Sequence, residues 1–502
     1  MVDAETSTVI ADIDEFDKYI NYVKLQYASN REIVGIEIDN STSSPTVKRI
    51  DRNGEQFTPE SDFFHKHEIW GSMYLCTLTS EGVPTFKLLP NGSGLDLTGS
   101  SGDLMVRTPN IKCRYELDGT KQRIWAAPFD SNHPYYDYHP HCYSGGTLHS
   151  YFFGGAYEGS VGVDAFGNKI LRSVSGAQPW TGGEIRSLAF TSGGPTAFTK
   201  GEQLTGSVSG ATGYVVDSHV SSGTWEGGDA AGTVYLSLPG VAVATTTAFV
   251  NNDLLMISGV DRATATGAAT ILTLTMTNAL TYAANKGTGW TITDIHADSL
   301  LKLLYFIQTG TRDSQTASGR GITNLVLGAG FGGKPTGSDN IDNLLDSWGN
   351  AKGDGTDGDV AISWNNYRNI WGNVWEWKSG INAFENGSCR VIKQDWAGPI
   401  SAELAENSYD ILSDSIPSTN AYISKIHTDY VGALAFLPSE VSGTSSTYFC
   451  DQLQKPSYNP SILSGGGAWT YNLINGINST NFNGLNASYP NTGTRLKYIP
   501  QS

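Results

Sequence analysis

Apolar residues recur at helical spacing in only two stretches of this chain. Val9, Ile10, Ile13, Phe16, Tyr19, Ile20, Val23 and Leu25 predict an amphipathic helix over Val9–Gln26. Its apolar face needs a partner, either its own domain or another chain. Ile295, Leu300, Leu301, Leu303, Leu304 and Ile307 predict a second helix from Asp294 to Thr309. Elsewhere the period is two. From Glu32 to about Arg107, short apolar runs broken by Asn-Gly, Glu-Gly and Gly-Ser-Gly predict strands and tight turns, and Val106 to Tyr115 alternates as a single strand. Between Ser192 and Thr275 the aromatics nearly vanish. Gly, Ala, Thr, Ser and Val take over, with apparent hairpins such as Leu254 to Gly259, which predicts a small all-β module. The aromatic-rich style resumes at Trp290, so this module reads as an insertion.

The densest pattern is Trp371-Gly372-Asn373-Val374-Trp375-Glu376-Trp377, three tryptophans in seven residues. Gly372-Asn373 tolerates positive φ and can start a strand, in which Trp375 and Trp377 would share a face. Nearer the C-terminus, Gly465-Gly466-Gly467-Ala468-Trp469 is a glycine turn ending in an aromatic, and Gly493-Thr494-Arg495-Leu496 a closing strand. Between them lie Tyr471, Asn472, Asn475, Asn478, Asn481, Asn483, Asn486, Tyr489 and Asn491. One reading is a hydrogen-bonded, turn-rich closing loop. The other is a binding face, because short amides donate and accept at low entropic cost while aromatics supply contact area.

Composition narrows the classes. Charged residues make up only 16% and the net charge is −17, with no basic stripe, which argues against nucleic acid as a partner. Cys76, Cys113, Cys142, Cys389 and Cys450 are odd in number and never form CxxC, so isolated buried thiols are expected rather than a zinc site or a disulfide framework. The N-terminus lacks a signal-peptide plan, and no apolar run is long enough to span a membrane. His139 and His141, with His149, His65 and His67, read as part of an irregular aromatic region rather than a metal site. Asp354, Asp357 and Asp359 form an acidic glycine-rich loop without EF-hand spacing, so a solvated loop is expected, with structural calcium as the alternative.

The tryptophan element, the glycine-aromatic turn and the arginine strand, in that order, resemble the formylglycine-generating-enzyme branch of the C-type lectin fold. The upstream segments Val34 to Asp39, Met105 to Cys113, Gly154 to Ser160 and Thr309 to Gln315 resemble phage tail and receptor-binding proteins carrying such a domain. The resemblance implies an α+β, mostly β chain. Residues 1–100 would form an N-terminal virion-attachment or oligomerisation region, 101–191 plus 276–502 the C-type-lectin-like domain, and 192–275 an inserted β module. Trp371, Gly372, Asn373, Trp375, Trp377, Gly466, Gly467, Trp469 and Arg495 would be its structural motif. The branch also contains metal-dependent oxidases and sulfoxide synthases. Those need a cysteine pair or a histidine-based iron site, and no cysteine follows Gly465 and no histidine follows His427.

The resulting expectation is a non-enzymatic adhesin without cofactor, located on a phage tail or particle surface and made in the host cytoplasm. It would contact a host-surface receptor, protein or glycan, and other virion proteins, as a homo-oligomer; a trimer would suit tail symmetry. The asparagine segment resembles the variable region of proteins diversified by retroelements. The alternatives are a purely architectural virion protein, a metal-dependent oxidase or sulfoxide synthase of the same fold, and a carbohydrate-binding module secreted by a cell.

Overall fold

The computed structural model describes residues 9–10, 33–183, 185–237, 248–325, 333–337, 340–353 and 358–501. Strand accounts for 38% and helix for 11%, so the chain is α+β and mostly β.

The helix Ile295–Thr309 sits at the centre. Asp294 caps it, accepting the Ala297 N–H at 2.8 Å, and Gly310 ends it in the left-handed conformation with φ 70°. It is buried from Ile295 through Ile307, including Asp298 and Lys302, which pair with each other at 2.8 Å. A helix buried on every side is a core element, and this one packs on strands Val34–Asp39, Lys121–Pro128 and Trp375–Ala383.

The first two of those strands are neighbours in one sheet, and the third belongs to another. The first sheet runs Val9–Ile10, Pro84–Lys87, Tyr74–Leu78, Asp103–Pro109, Tyr151–Glu158, Arg495–Tyr498, Trp290–Ile292. It joins residues from both ends of the chain, so the division drawn at residue 100 is crossed by hydrogen-bonded neighbours Tyr74–Leu78 and Asp103–Pro109. The second contains Lys48–Asp51, Val34–Asp39, Lys121–Pro128, Ile111–Asp118 and Asp137–Tyr138. The third runs Tyr409–Ile411, Cys389–Ile392, Trp375–Ala383, Ser461–Gly465, Thr480–Gly484, Gln452–Gln454, Ala421–Ile426, Pro438–Val441, with Thr492–Gly493 beside Trp375–Ala383.

Two expectations need correction. Val9 and Ile10 are not helical; they pair with Lys87 and Phe86 at the edge of the first sheet. The rest of the helix expected over Val9–Gln26 lies outside the described residues. Val106 to Tyr115 is not one strand. It breaks after Pro109, which has no N–H to continue a ladder, and the chain passes there from the first sheet to the second. The buried Asn110 side chain holds the crossing, donating to the His149 carbonyl at 2.7 Å.

The glycine- and threonine-rich segment forms a closed barrel. Its strands are Ile185–Gly193, Gln203–Gly206, Thr212–Ser222, Ala230–Ser237, Leu254–Ile257 and Val260–Ala265. The ladder closes because Ile185–Gly193 pairs with both Ala230–Ser237 and Val260–Ala265. Leu188, Phe190, Leu204, Val234, Leu236, Leu255 and Ile257 fill a core of its own. Closure removes the edges that an open sheet of such residues would expose. Among the described residues no helix is long and apolar enough to cross a membrane.

Candidate functional site

The three motif segments meet in space. Gly372 has φ 80° and Asn373 φ 58°, as a turn pair requires. The Gly372 N–H donates to the Gly466 carbonyl at 2.9 Å, and the Trp469 N–H to the Asn373 carbonyl at 3.0 Å. The Trp375 N–H donates to the Asn491 carbonyl at 2.8 Å, and Trp375 and Glu376 then pair in parallel with Thr492 and Gly493. Arg495, buried, lies 2.6 Å from the Glu376 carboxylate and also donates to the carbonyls of Gly155, Arg368 and Asn369. Burial alone would raise the Glu376 carboxyl, but Arg495 and Lys378 overcome it and hold its pKa low. Asn373 is more than a turn residue. Its Oδ1 accepts the Lys334 N–H at 2.7 Å, and its Nδ2 donates to Glu158 Oε1 at 2.9 Å.

On this support stands a concave cleft of about 490 Å³. Five of the nine expected binding residues line it: Tyr471, Asn481, Asn483, Tyr489 and Asn491. Strand alternation explains the pair. In Thr480–Gly484, Thr480 and Phe482 are buried while Asn481 and Asn483 are half-buried, so both amides share the outer face. Tyr471 packs edge-on against Trp375, with ring centroids 5.5 Å apart, which ties the cleft wall to the tryptophan element. Burial and a hydrogen bond to Tyr458 raise the Tyr489 phenol.

Two expected binding residues are corrected. Asn475 and Asn478 are fully buried. The Asn475 amide closes the glycine turn: Oδ1 accepts the Ala468 N–H at 2.9 Å, and Nδ2 donates to the Ala468 carbonyl at 3.0 Å. Asn478 points inward, its backbone N–H donating to Asp451 Oδ2 at 2.8 Å. Asn472 and Asn486 are exposed but do not line the cleft. The spacing of asparagines along the sequence carries no sign of this division, because it follows from which turn each amide closes.

Sequence reasoning missed Gln454, Thr470, Pro490 and Thr492 as lining residues, and did not anticipate that Trp469 lines the cleft as well as ending the turn. Gln454 arrives through a parallel pairing with Asn481, a long-range contact with no local signature, and the Asn420 amide donates to its Oε1 at 3.0 Å.

The histidines are used internally. The Asn110 Nδ2 bond to the His149 carbonyl turns Oδ1 toward His141 Nδ1, 2.8 Å away, so Nδ1 donates and Nε2 accepts from Lys497 at 3.4 Å. Lys497 also pairs with Asp294. Burial lowers His139 to about 3 and His141 well below the usual histidine range, so both are neutral. Lys497, Asp294 and His296 line a second cleft of about 890 Å³, but the charges of the Lys497–Asp294 pair offset each other. Asp359 is exposed; Asp354 and Asp357 lie outside the described residues. Asp414, His427 and Asp429 place one ligand atom each within 4.8 Å of one another, a set that could hold a cation and that sequence spacing did not suggest. All five cysteines are buried and unpaired. No protein-family model matches the chain, and no curated protein matches it.

Proposed function

We propose that this chain is a phage tail-associated adhesin in which a C-type-lectin-like scaffold presents the Tyr471–Asn491 cleft to the host surface. One observation carries the reading. Side chains scattered over residues 454–492 converge on one concave surface, braced from below by the tryptophan element and the glycine turn. Binding sites need such rigid support, because a preorganised surface spends less affinity on ordering itself. The cleft would act by surface complementarity, multiplied by the several copies a particle carries. Half-buried amides on a strand face can also vary without disturbing Phe482 beneath them, which suits a surface open to diversification.

The test is adsorption. Fluorescently labelled chain is incubated with a panel of bacterial strains, and the variants Asn483→Ala and Tyr489→Ala are compared with the parent. Loss of cell binding by the variants, with unchanged thermal unfolding, is the expected result. Full binding by both would leave the cleft with no role in host contact and move adhesion to another surface, whereas no binding of the parent to any strain would favour the architectural reading.

A further inference from the structure

We infer that the cleft takes a neutral saccharide, and takes it without calcium; this rests on the reading of the cleft as the host-contact face. No charged side chain is found among the described residues that line it. The lining consists of amides, hydroxyls and aromatic rings: Gln454, Asn481, Asn483 and Asn491 with Tyr471 and Tyr489. A sialylated, sulfated or phosphorylated ligand would bury its charge here with no cation to meet it, in a chain of net charge −17. A cationic ligand would find no carboxylate. A polyhydroxylated neutral ring suits the lining at both levels. The asparagine amides offer acceptors and donors for neighbouring hydroxyls, while Gln454 is partly engaged by Asn420 and Gln452, and the tyrosine rings offer flat apolar area for the C–H face of a sugar.

Shape and metal chemistry point the same way. At about 490 Å³ the cleft falls inside the roughly 300–1,000 Å³ typical of small-ligand sites. A protein receptor would instead need a broad patch of about 800 Å² on each partner. Calcium takes roughly six to eight oxygen ligands, with carboxylates prominent among them, and the lining supplies no carboxylate to balance its charge. The Asp414, His427 and Asp429 set is not among the lining residues. Recognition therefore runs through side-chain amides directly.

The full chain is applied to an array of neutral oligosaccharides built from glucose, galactose and N-acetylglucosamine, alongside their sialylated and sulfated counterparts, with calcium or with EDTA. The expected result is binding to at least one neutral saccharide, equal in both buffers. Asn483→Ala and Tyr489→Ala should each weaken it roughly five- to tenfold, the scale of one lost polar or aromatic contact. Phe166→Ser, at an 87% exposed residue outside the cleft, should bind as the parent does. Binding confined to acidic glycans, abolition by EDTA, or no saccharide bound at all overturns the inference. The two readings separate on the cell assay. If adsorption still depends on Asn483 and Tyr489 while no saccharide binds, the receptor is a protein and only the saccharide inference falls. If adsorption ignores both residues, the contact-face reading falls with it.

Discussion

Gly467 and Asn475 show how a single residue pair can decide the local geometry of the site. Gly467 has φ 82°, and a Cβ built there would come within 1.7 Å of Asn475 Oδ1. Gly467→Ala must therefore both strain the backbone and displace the amide that closes the turn. We expect a loss of about 3 kcal/mol in chemical denaturation, and about 2 kcal/mol for Asn475→Ala, which leaves the Ala468 N–H without its partner and its carbonyl with the Tyr471 N–H alone. Glu158 makes a prediction in pH. Burial pushes its carboxyl up to about 7, against the pull of Arg495 and with help from the charge of Glu376. Between the unfolded value near 4.5 and about 7, the folded state binds more protons than the unfolded one, so this group costs stability as pH rises through that window. His139 and His141 act oppositely. Their folded pKa values lie below the unfolded 6.5, so they contribute stability at neutral pH that is lost as pH falls. Subtracting the stability of Glu158→Gln from that of the parent isolates the first effect. The difference should fall steadily from pH 4.5 to 7, and a flat difference would show that Glu158 titrates normally.

At the scale of elements, the chain's charges do unusual work inside the core. Arg495 on the last strand, Glu376 and Lys378 on the tryptophan strand, and Asp298 and Lys302 on the central helix form one buried line of alternating charge. Burial alone would lower the Lys378 pKa, but Glu376 and Asp298 outweigh it and keep the amine charged. Lys378→Met leaves two carboxylates with one neighbour fewer each and should cost about 3–5 kcal/mol, measured by denaturant unfolding at pH 7. Restoring only part of that loss by adding Glu376→Gln would show the coupling directly. The central helix itself was legible in the sequence, because its Asp294 cap, apolar spacing and Gly310 stop are all local signals. The two strands hidden in Val106 to Tyr115 were not, since the shift of apolar phase between Val106 and Ile111 is a local irregularity that does not show a change of sheet. The cleft was half legible. Asn481 and Asn483 flank Phe482 in a readable alternation, whereas Gln454 joins them only through a parallel pairing, and the inward turn of Asn475 depends on a glycine turn folding against it.

At the scale of the whole molecule, the barrel is the element most separable from the rest. It enters by Ile185–Gly193 and leaves by Thr270–Ile271, and these pair directly, with Arg186 opposite Ile271 and Ser187 opposite Thr270. Entry and exit thus lie one ladder spacing apart, about 5 Å. The barrel's interior packs on itself, and its join to the body runs through a few residues, among them Ile185, Tyr235 and Leu272, in the cluster around Trp180. None of its strands lines the cleft. A chain in which residues 188–269 are replaced by a two-residue Asn-Gly turn should therefore fold, because Ser187 and Thr270 already sit where a hairpin's ends would be. It would lose Tyr235 from the Trp180 cluster and so melt somewhat lower, by a few degrees if the cost is about 1–2 kcal/mol. Cell adsorption per molecule should be unchanged if the cleft alone makes contact. A shortened chain that folds, as judged by its near-ultraviolet tryptophan signal, yet no longer binds cells would assign the barrel a direct part in adhesion. The separation of scaffold, cleft and insertion drawn from the fold would then have to be abandoned.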